Sequence, residues 1–138
     1  MKIKKQIIHA KNALLPNGWA KDIFIEIDEH GKISEIIKDK IIPKKDVSYN
    51  EEIILPAMNN LHSHSFQRAM AGLSEKQSPG GNDSFWTWRD LMYKFLDLLT
   101  PEDIYSITAF SQMEMLEAGY SCVGEFHYIH NEIGGNHY

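Results

Sequence analysis

The feature that most constrains this chain is a pair of histidines closing an apolar run. Residues Ile53-Ile54-Leu55-Pro56-Ala57-Met58-Asn59-Asn60-Leu61 lead directly into His62-Ser63-His64. In extended backbone alternate side chains share one face, so histidines two apart can aim two imidazoles at one ion. On a helix positions i and i+2 diverge and that convergence is lost. The apolar run supplies the strand, and Ser65-Phe66-Gln67-Arg68-Ala69-Met70 after it reads as helical. The pair therefore falls at the carboxyl end of a strand, where α/β barrels keep their chemistry. On spacing alone, with 7 histidines in 138 residues, two unremarkable loop histidines are the more economical reading. The surrounding residues have to decide.

Before the pair, the chain reads as a small β unit. Ile23, Ile25 and Ile27 alternate with Asp22, Phe24, Glu26 and Asp28, a period of two in which Phe24 makes the second face partly apolar. Turn signals at Asn17-Gly18 and His30-Gly31 predict a meander with strands near 3 to 9, 19 to 28 and 32 to 37. Lys38 to Asn50 is polar, contains Pro43 and reads as a connector. The expected organisation is a β segment over 1–52 followed by an α/β segment over 53–138.

After the pair, Ser74 to Asp83 holds Pro79, Gly80 and Gly81 and predicts a loop. Asp83 or Ser84 can cap a helix running to about Leu99, with Phe85, Trp88, Met92, Phe95, Leu96 and Leu99 in one apolar sector. Arg89 sits at the flank of that sector. Thr100-Pro101-Glu102-Asp103 opens another helix with a cap and an early proline, and Ile104, Ile107, Phe110, Met113 and Leu116 are its expected buried stripe. Gly119 ends it, and Tyr120 to Phe126 follows as a buried parallel strand carrying a buried thiol at Cys122. The order is strand, His-x-His, helices, strand.

Composition narrows the function classes. A net charge of -5 without a basic cluster argues against nucleic acid or an anionic membrane as partner. No apolar run approaches the roughly 18 residues of a spanning helix, and nothing supports secretion. The single cysteine allows no internal disulfide and fits a reducing compartment.

The stretches LPAMNNLHSHSFQRAMAGLSE, NDSFWTWRDLMYKFLDLLTPEDI and EMLEAGYSCVGEFHYIH resemble the N-formimidoyl-L-glutamate deiminases of the amidohydrolase superfamily. The resemblance covers nearly the whole chain and is densest from Leu55 to His130. FQRAMAGL, SFWTWR and EFHY are its more specific parts; the histidine pair is shared by the superfamily at large. Ala57 departs from the glycine usual after this proline, which bears on the local turn.

The resemblance implies an α/β fold: the N-terminal part of a metal-dependent (β/α)8 amidohydrolase barrel, preceded by a small β-sandwich segment. It implies His62 and His64 as two ligands of one zinc ion, and Gln67, Arg89 and Tyr128 as substrate contacts. An arginine fork suits the carboxylates of a glutamate. A complete barrel takes about 200 residues or more, and about 80 follow Leu55, so the chain reads as an N-terminal fragment, inactive alone. The remaining ligands, a histidine and an aspartate, are then expected on later strands, with His127 and His130 as residues of the site's mouth. No general base is assigned within the chain. The implied reaction is hydrolysis of N-formimidoyl-L-glutamate to N-formyl-L-glutamate and ammonia, a step of histidine degradation, in a cytoplasmic enzyme that is a homodimer at full length. Two other readings stand beside it: a fragment of another superfamily deaminase acting on a nucleobase or guanidine, and a non-catalytic β-rich module.

Overall fold

The computed structural model describes residues 2–77, 80–132, 135 and 136. The chain divides into two compact units, Met1–Pro56 and Ala57–Tyr138. Pro79, part of the expected loop, lies outside the described residues.

The first unit is one mixed sheet. Strands β1 (Gln6–Leu15), β2 (Gly18–Ile27), β3 (Ile33–Ile37) and β4 (Tyr49–Ile54) lie in the order β3-β2-β1-β4. β1 and β2 form a hairpin whose last pair is Leu15 with Gly18, leaving Pro16-Asn17 as the turn and Gly18 at φ +107°. That φ favours a residue without Cβ. β4 runs parallel to β1 on its other side, from Ile8 opposite Tyr49 to Ala13 opposite Ile54. Pairing on both edges carries β1 through Lys11 and Asn12 to Leu15, well past the polar residues where the pattern alone ended it.

The core of this unit follows the alternation. Ala10, Ala13, Ile23 and Ile25 are buried, with Ile8, Leu15, Ala20, Ile27 and Ile54 packed against them. Ala10 and Ala13 have opposite parity, yet both point inward. The register is unchanged along the hairpin, but Lys11 and Asp22 drop out of the pairing between Ala10–Ile23 and Asn12–Lys21, and Asp22 adopts φ +49°. Aspartate tolerates that left-handed region better than a branched residue, and the irregularity shifts each strand's inward set by one. Fully buried Ile23 contributes about 1.5 to 3 kcal/mol.

The apolar run from Ile53 to Leu61 is two strands, not one. Ile53 and Ile54 complete β4 in the first unit, the chain breaks at Leu55-Pro56-Ala57, and β5 (Met58–Ser63) begins the second. Proline has no N–H for a ladder and restricts the residue before it, which makes this a natural break. Position 52/53 falls inside β4, and the compact units part after Pro56.

In the second unit, β5 is followed by a 3-10 turn (Ser65–Met70), α1 (Phe85–Leu96), α2 (Pro101–Glu117) and β6 (Tyr120–Glu125). β5 and β6 pair in parallel, so the helical segment is the crossover between them. Ser84 and Thr87 form a capping box on α1, and Thr100 and Asp103 form one on α2. Phe66, Met70 and Met92 are the buried core, with Trp88, Leu91, Phe95, Leu96, Leu99, Ile104 and Ile129 packed around them. Phe85, expected in that sector, is exposed.

The expected stripe on α2 is only half right. Ile104 and Ile107 are partly buried, but Phe110, Met113 and Leu116 are exposed; the inward face continues through Thr108, Ser111 and Met115. Steps of three residues fall about 60° short of a full turn, so 104, 107, 110, 113, 116 spirals around the helix instead of lining one side. Arg68 in the 3-10 turn fixes the rotation. Its Nε and Nη2 donate to Glu114 Oε2 and Oε1 at 2.6 and 2.8 Å, and its guanidinium lies 5.4 Å from the Phe110 ring centroid. Cys122 is likewise exposed, not buried, because apolar residues on both faces of a strand are covered only where layers flank both faces.

Candidate metal centre at the ends of two parallel strands

Both histidines stand where β5 ends, beside the end of β6. His62 Nε2 and His64 Nε2 are 2.8 Å apart, with ring centroids 4.5 Å apart and planes at 84°. His64, one residue past β5 at φ -133° and ψ 80°, turns its other nitrogen the opposite way: Nδ1 donates to the Phe126 carbonyl at 2.9 Å. That bond puts the His64 proton on Nδ1 and leaves a lone pair on Nε2, as a ligand histidine requires. Two facing imidazole nitrogens at this distance need a proton or a cation between them.

The donor set suits a metal ion. Zinc takes imidazole nitrogen at about 2.0 to 2.1 Å, and two nitrogens 2.8 Å apart can both reach one point at that distance. Among the described residues, no group of three His, Cys, Asp or Glu side chains surrounds such a point. A catalytic zinc uses three or more protein ligands, and the pair offers two donor nitrogens.

Strand β6 frames the pair. Phe126 N–H donates to the Ser63 carbonyl at 2.9 Å, its carbonyl accepts from His64, and the Glu125 carboxylate accepts from Ser65 N–H at 2.6 Å and Ser65 Oγ at 2.9 Å. Burial pushes the Glu125 carboxyl up, but hydrogen bonds from Ser63 and Ser65, with His127 nearby, outweigh it and hold it below the ordinary glutamate range. Gly124 permits the close approach: a Cβ there would stand 2.9 Å from the Leu61 carbonyl oxygen. Glu125 and Phe126 were not singled out by sequence reasoning. Their one local signal is an acidic residue ending an apolar strand, because the partners are about 60 residues away.

Tyr128 joins the pair directly. Its ring centroid lies 4.7 Å from that of His64, 5.3 Å from Phe126 and 5.7 Å from Phe66. Half-buried Gln67 directs its amide nitrogen at Met92 Sδ, 3.5 Å away, a weak bond that leaves the amide available. Arg89 is exposed on α1, its guanidinium 5.7 Å from the Trp86 ring and 5.1 Å from the Tyr93 ring. Stacking on residues i-3 and i+4 holds the fork away from free rotation. None of the described contacts links Arg89 to the histidines. Tyr93, on which Arg89 stacks, and Tyr128 both line a cavity of about 280 Å³ whose wall includes Leu99, Ile104, Ile129 and His130. His127 is exposed beside Glu125.

Comparison with known proteins gives this arrangement a lineage. Residues 5–43 match the family described as "Formimidoylglutamate deiminase HutF, N-terminal domain". Over 134 residues, 95% of this chain, the sequence is 47% identical to the formimidoylglutamate deiminase of Pseudomonas aeruginosa; the chain spans 28% of that protein's length. Among solved structures, an amidohydrolase from Brucella melitensis superposes with a TM-score of 0.83 at 42% identity, over 96% of this chain and 29% of that one. A guanine deaminase from C. acetobutylicum shares the fold at a TM-score of 0.64 and 18% identity, over 92% of this chain and 31% of that one. What the chain has in common with part of the Brucella melitensis amidohydrolase is its fold: a small mixed sheet, then a β-α-α-β crossover, which here presents a His-x-His pair. In sequence, the chain is similar to part of a formimidoylglutamate deiminase, and its residues 5–43 to the N-terminal domain of that family.

Proposed function

We propose that these residues serve as the N-terminal portion of a zinc-dependent hydrolase that converts N-formimidoyl-L-glutamate and water to N-formyl-L-glutamate and ammonia. The observation that carries the proposal is the convergence of His62 Nε2 and His64 Nε2 to 2.8 Å, in a chain 47% identical to a formimidoylglutamate deiminase. When bound, a zinc ion lowers the pKa of water to about 7 and so supplies hydroxide near neutrality.

The chain's own residues prepare for that chemistry. The Phe126 carbonyl keeps the His64 proton on Nδ1, so that Nε2 faces His62 with a free lone pair. Tyr128, against the His64 ring, offers a phenolic hydroxyl to the substrate, and Gln67 offers an amide that can donate to or accept from a planar formimidoyl group. Arg89, braced by Trp86 and Tyr93, suits a glutamate carboxylate through its two parallel N–H donors. A third metal ligand and the proton-shuttling groups are assigned to residues outside this chain. A cytoplasmic setting follows from the same reading, and among the described residues no helix is long and apolar enough to cross a membrane.

The test is to recover the DNA downstream of codon 138, express the longer product, and measure ammonia release from N-formimidoyl-L-glutamate and from guanine. Release from formimidoylglutamate alone, abolished by His62→Ala, is the expected result. Release from guanine instead would select the nucleobase reading, and release from neither by a zinc-loaded protein would overturn the assignment.

A further inference from the structure

Outside the histidines themselves, the most fully engaged charged group near the pair is Glu125. Two consecutive residues of the β6 end grip three consecutive residues at the end of β5: Phe126 holds Ser63 through its N–H and His64 through its carbonyl, and Glu125 holds Ser65 through both carboxylate oxygens. Ser65 is 2% exposed and Ser63 is 9% exposed, so solvent is a poor substitute for these partners. The Ser65 N–H is the peptide that directly follows His64. A carboxylate seated on that peptide fixes its plane and with it the ψ of His64, which sets where the Cα–Cβ bond points and so the base from which χ1 and χ2 carry the imidazole to Phe126. Charge-assisted bonds of 2.6 and 2.9 Å are the strong kind, and a neutral amide cannot accept both with equal strength.

From this frame we infer that Glu125 is a positioning residue for the metal pair: by clamping Ser65 it locks His64 in the orientation whose Nδ1–H meets the Phe126 carbonyl and whose Nε2 faces His62. The inference rests on the reading of His62 and His64 as metal ligands, but the clamp itself can be observed without metal. Glu125 touches neither the imidazoles nor any substrate group among the described contacts; it acts through the backbone of Ser65.

The experiment uses the full 138-residue chain with ¹⁵N-labelled histidine, at a pH above the histidine range. Long-range ¹H–¹⁵N correlation reports which ring nitrogen of His64 carries the proton, and a zinc titration on the same samples reports affinity. The unsubstituted chain should show His64 protonated at Nδ1. Glu125→Gln should give a mixture of the two tautomers and weaken zinc binding by about 10-fold or more, the scale on which outer partners of ligand histidines act. Glu125→Asp, which keeps the charge but is too short to reach both donors, should show the same loss in smaller measure, and it serves as the test if the glutamine variant fails to fold. A His64 that stays wholly Nδ1-protonated in the folded Gln and Asp variants would overturn the inference. Zinc affinity indifferent to His62→Ala would instead overturn the metal reading, and the tautomer result would still decide whether Glu125 is a clamp.

Discussion

Gly124→Ala offers a stringent test of how closely β5 and β6 must approach to build the site. Gly124 lies outside the left-handed region, so its backbone accepts alanine; what it lacks is room. The added Cβ would stand 2.9 Å from the Leu61 oxygen, 3.2 Å from the Leu61 carbonyl carbon and 3.6 Å from the Asn60 oxygen, all of them backbone atoms that no rotamer change can move. Ordinary contact begins at 3.4 Å, so the strands must part locally by about 0.5 Å, a large fraction of the freedom available to a ladder spaced at about 4.8 Å. Overpacking of this kind costs about 1 to 3 kcal/mol, and the loss of glycine's freedom in the unfolded chain returns about 0.4 to 1, leaving a net loss of about 0 to 2.6 kcal/mol. Urea unfolding should show a lower midpoint at unchanged slope. Gly80→Ala is the control, because a Cβ at that position would meet nothing within 4 Å and its φ is not left-handed; it should stay within about 0.5 kcal/mol. The same displacement moves Glu125 and Phe126, so the zinc affinity of Gly124→Ala should fall together with its stability. A variant as stable as the parent and with undiminished zinc affinity would refute the close approach as a requirement of the site.

Three further outcomes are expected. On the proposed function, the 138-residue chain with added zinc should release no ammonia from N-formimidoyl-L-glutamate, because no group of three metal-ligating side chains converges among the described residues; turnover abolished by His62→Ala would contradict this. On the same proposed function, Arg89→Met in a longer product that hydrolyses N-formimidoyl-L-glutamate should lower kcat/KM by more than about 30-fold with zinc content intact, the scale of losing about 2 kcal/mol when one partner of a charge pair desolvated by bound substrate is removed. An unchanged kcat/KM would return Arg89 to the helix surface, stacked on Trp86 and Tyr93. The capping carboxylate Asp103 is held below its ordinary range, first by the Thr100 N–H and then by the Thr100 hydroxyl. Its folded pKa lies below its unfolded value of about 3.9, so its stabilisation is complete above that value and is lost as pH falls through the folded one. Urea midpoints of the parent should drop on acidification below about pH 4, and Asp103→Asn should flatten that drop; parallel profiles would show that the cap is not electrostatic.

Local chemistry was legible in the sequence and tertiary pairing was not. Ser84, Thr100 and Gly119 announce helix ends because each acts on backbone within a few residues, and the structure uses all three. The His-x-His pair was legible for the same reason: two residues of extended backbone suffice to bring two rings together. Pro56 was visible, but an apolar run on both sides of it hid the change of sheet, since Ile53 and Ile54 are claimed by β1, about 40 residues earlier. The inward face of α2 depends on Arg68 and Glu114, about 45 residues apart, and no periodicity within the helix encodes their meeting. Glu125 is the sharpest case. Its neighbours suggest only a strand end, and its role appears when the parallel pairing of β5 with β6 sets it opposite Ser63.

The central claim is that His62 and His64 hold one cation through their Nε2 atoms. Titrating the ¹⁵N-histidine-labelled chain with zinc and following both rings tests it most directly. The Nε2 resonances of His62 and His64 should shift together at one-to-one stoichiometry, Nδ1 of His64 should keep its proton, and either alanine substitution should abolish the shift in the other ring. Zinc shifting only one of the two rings, or shifting His64 at Nδ1, would contradict it.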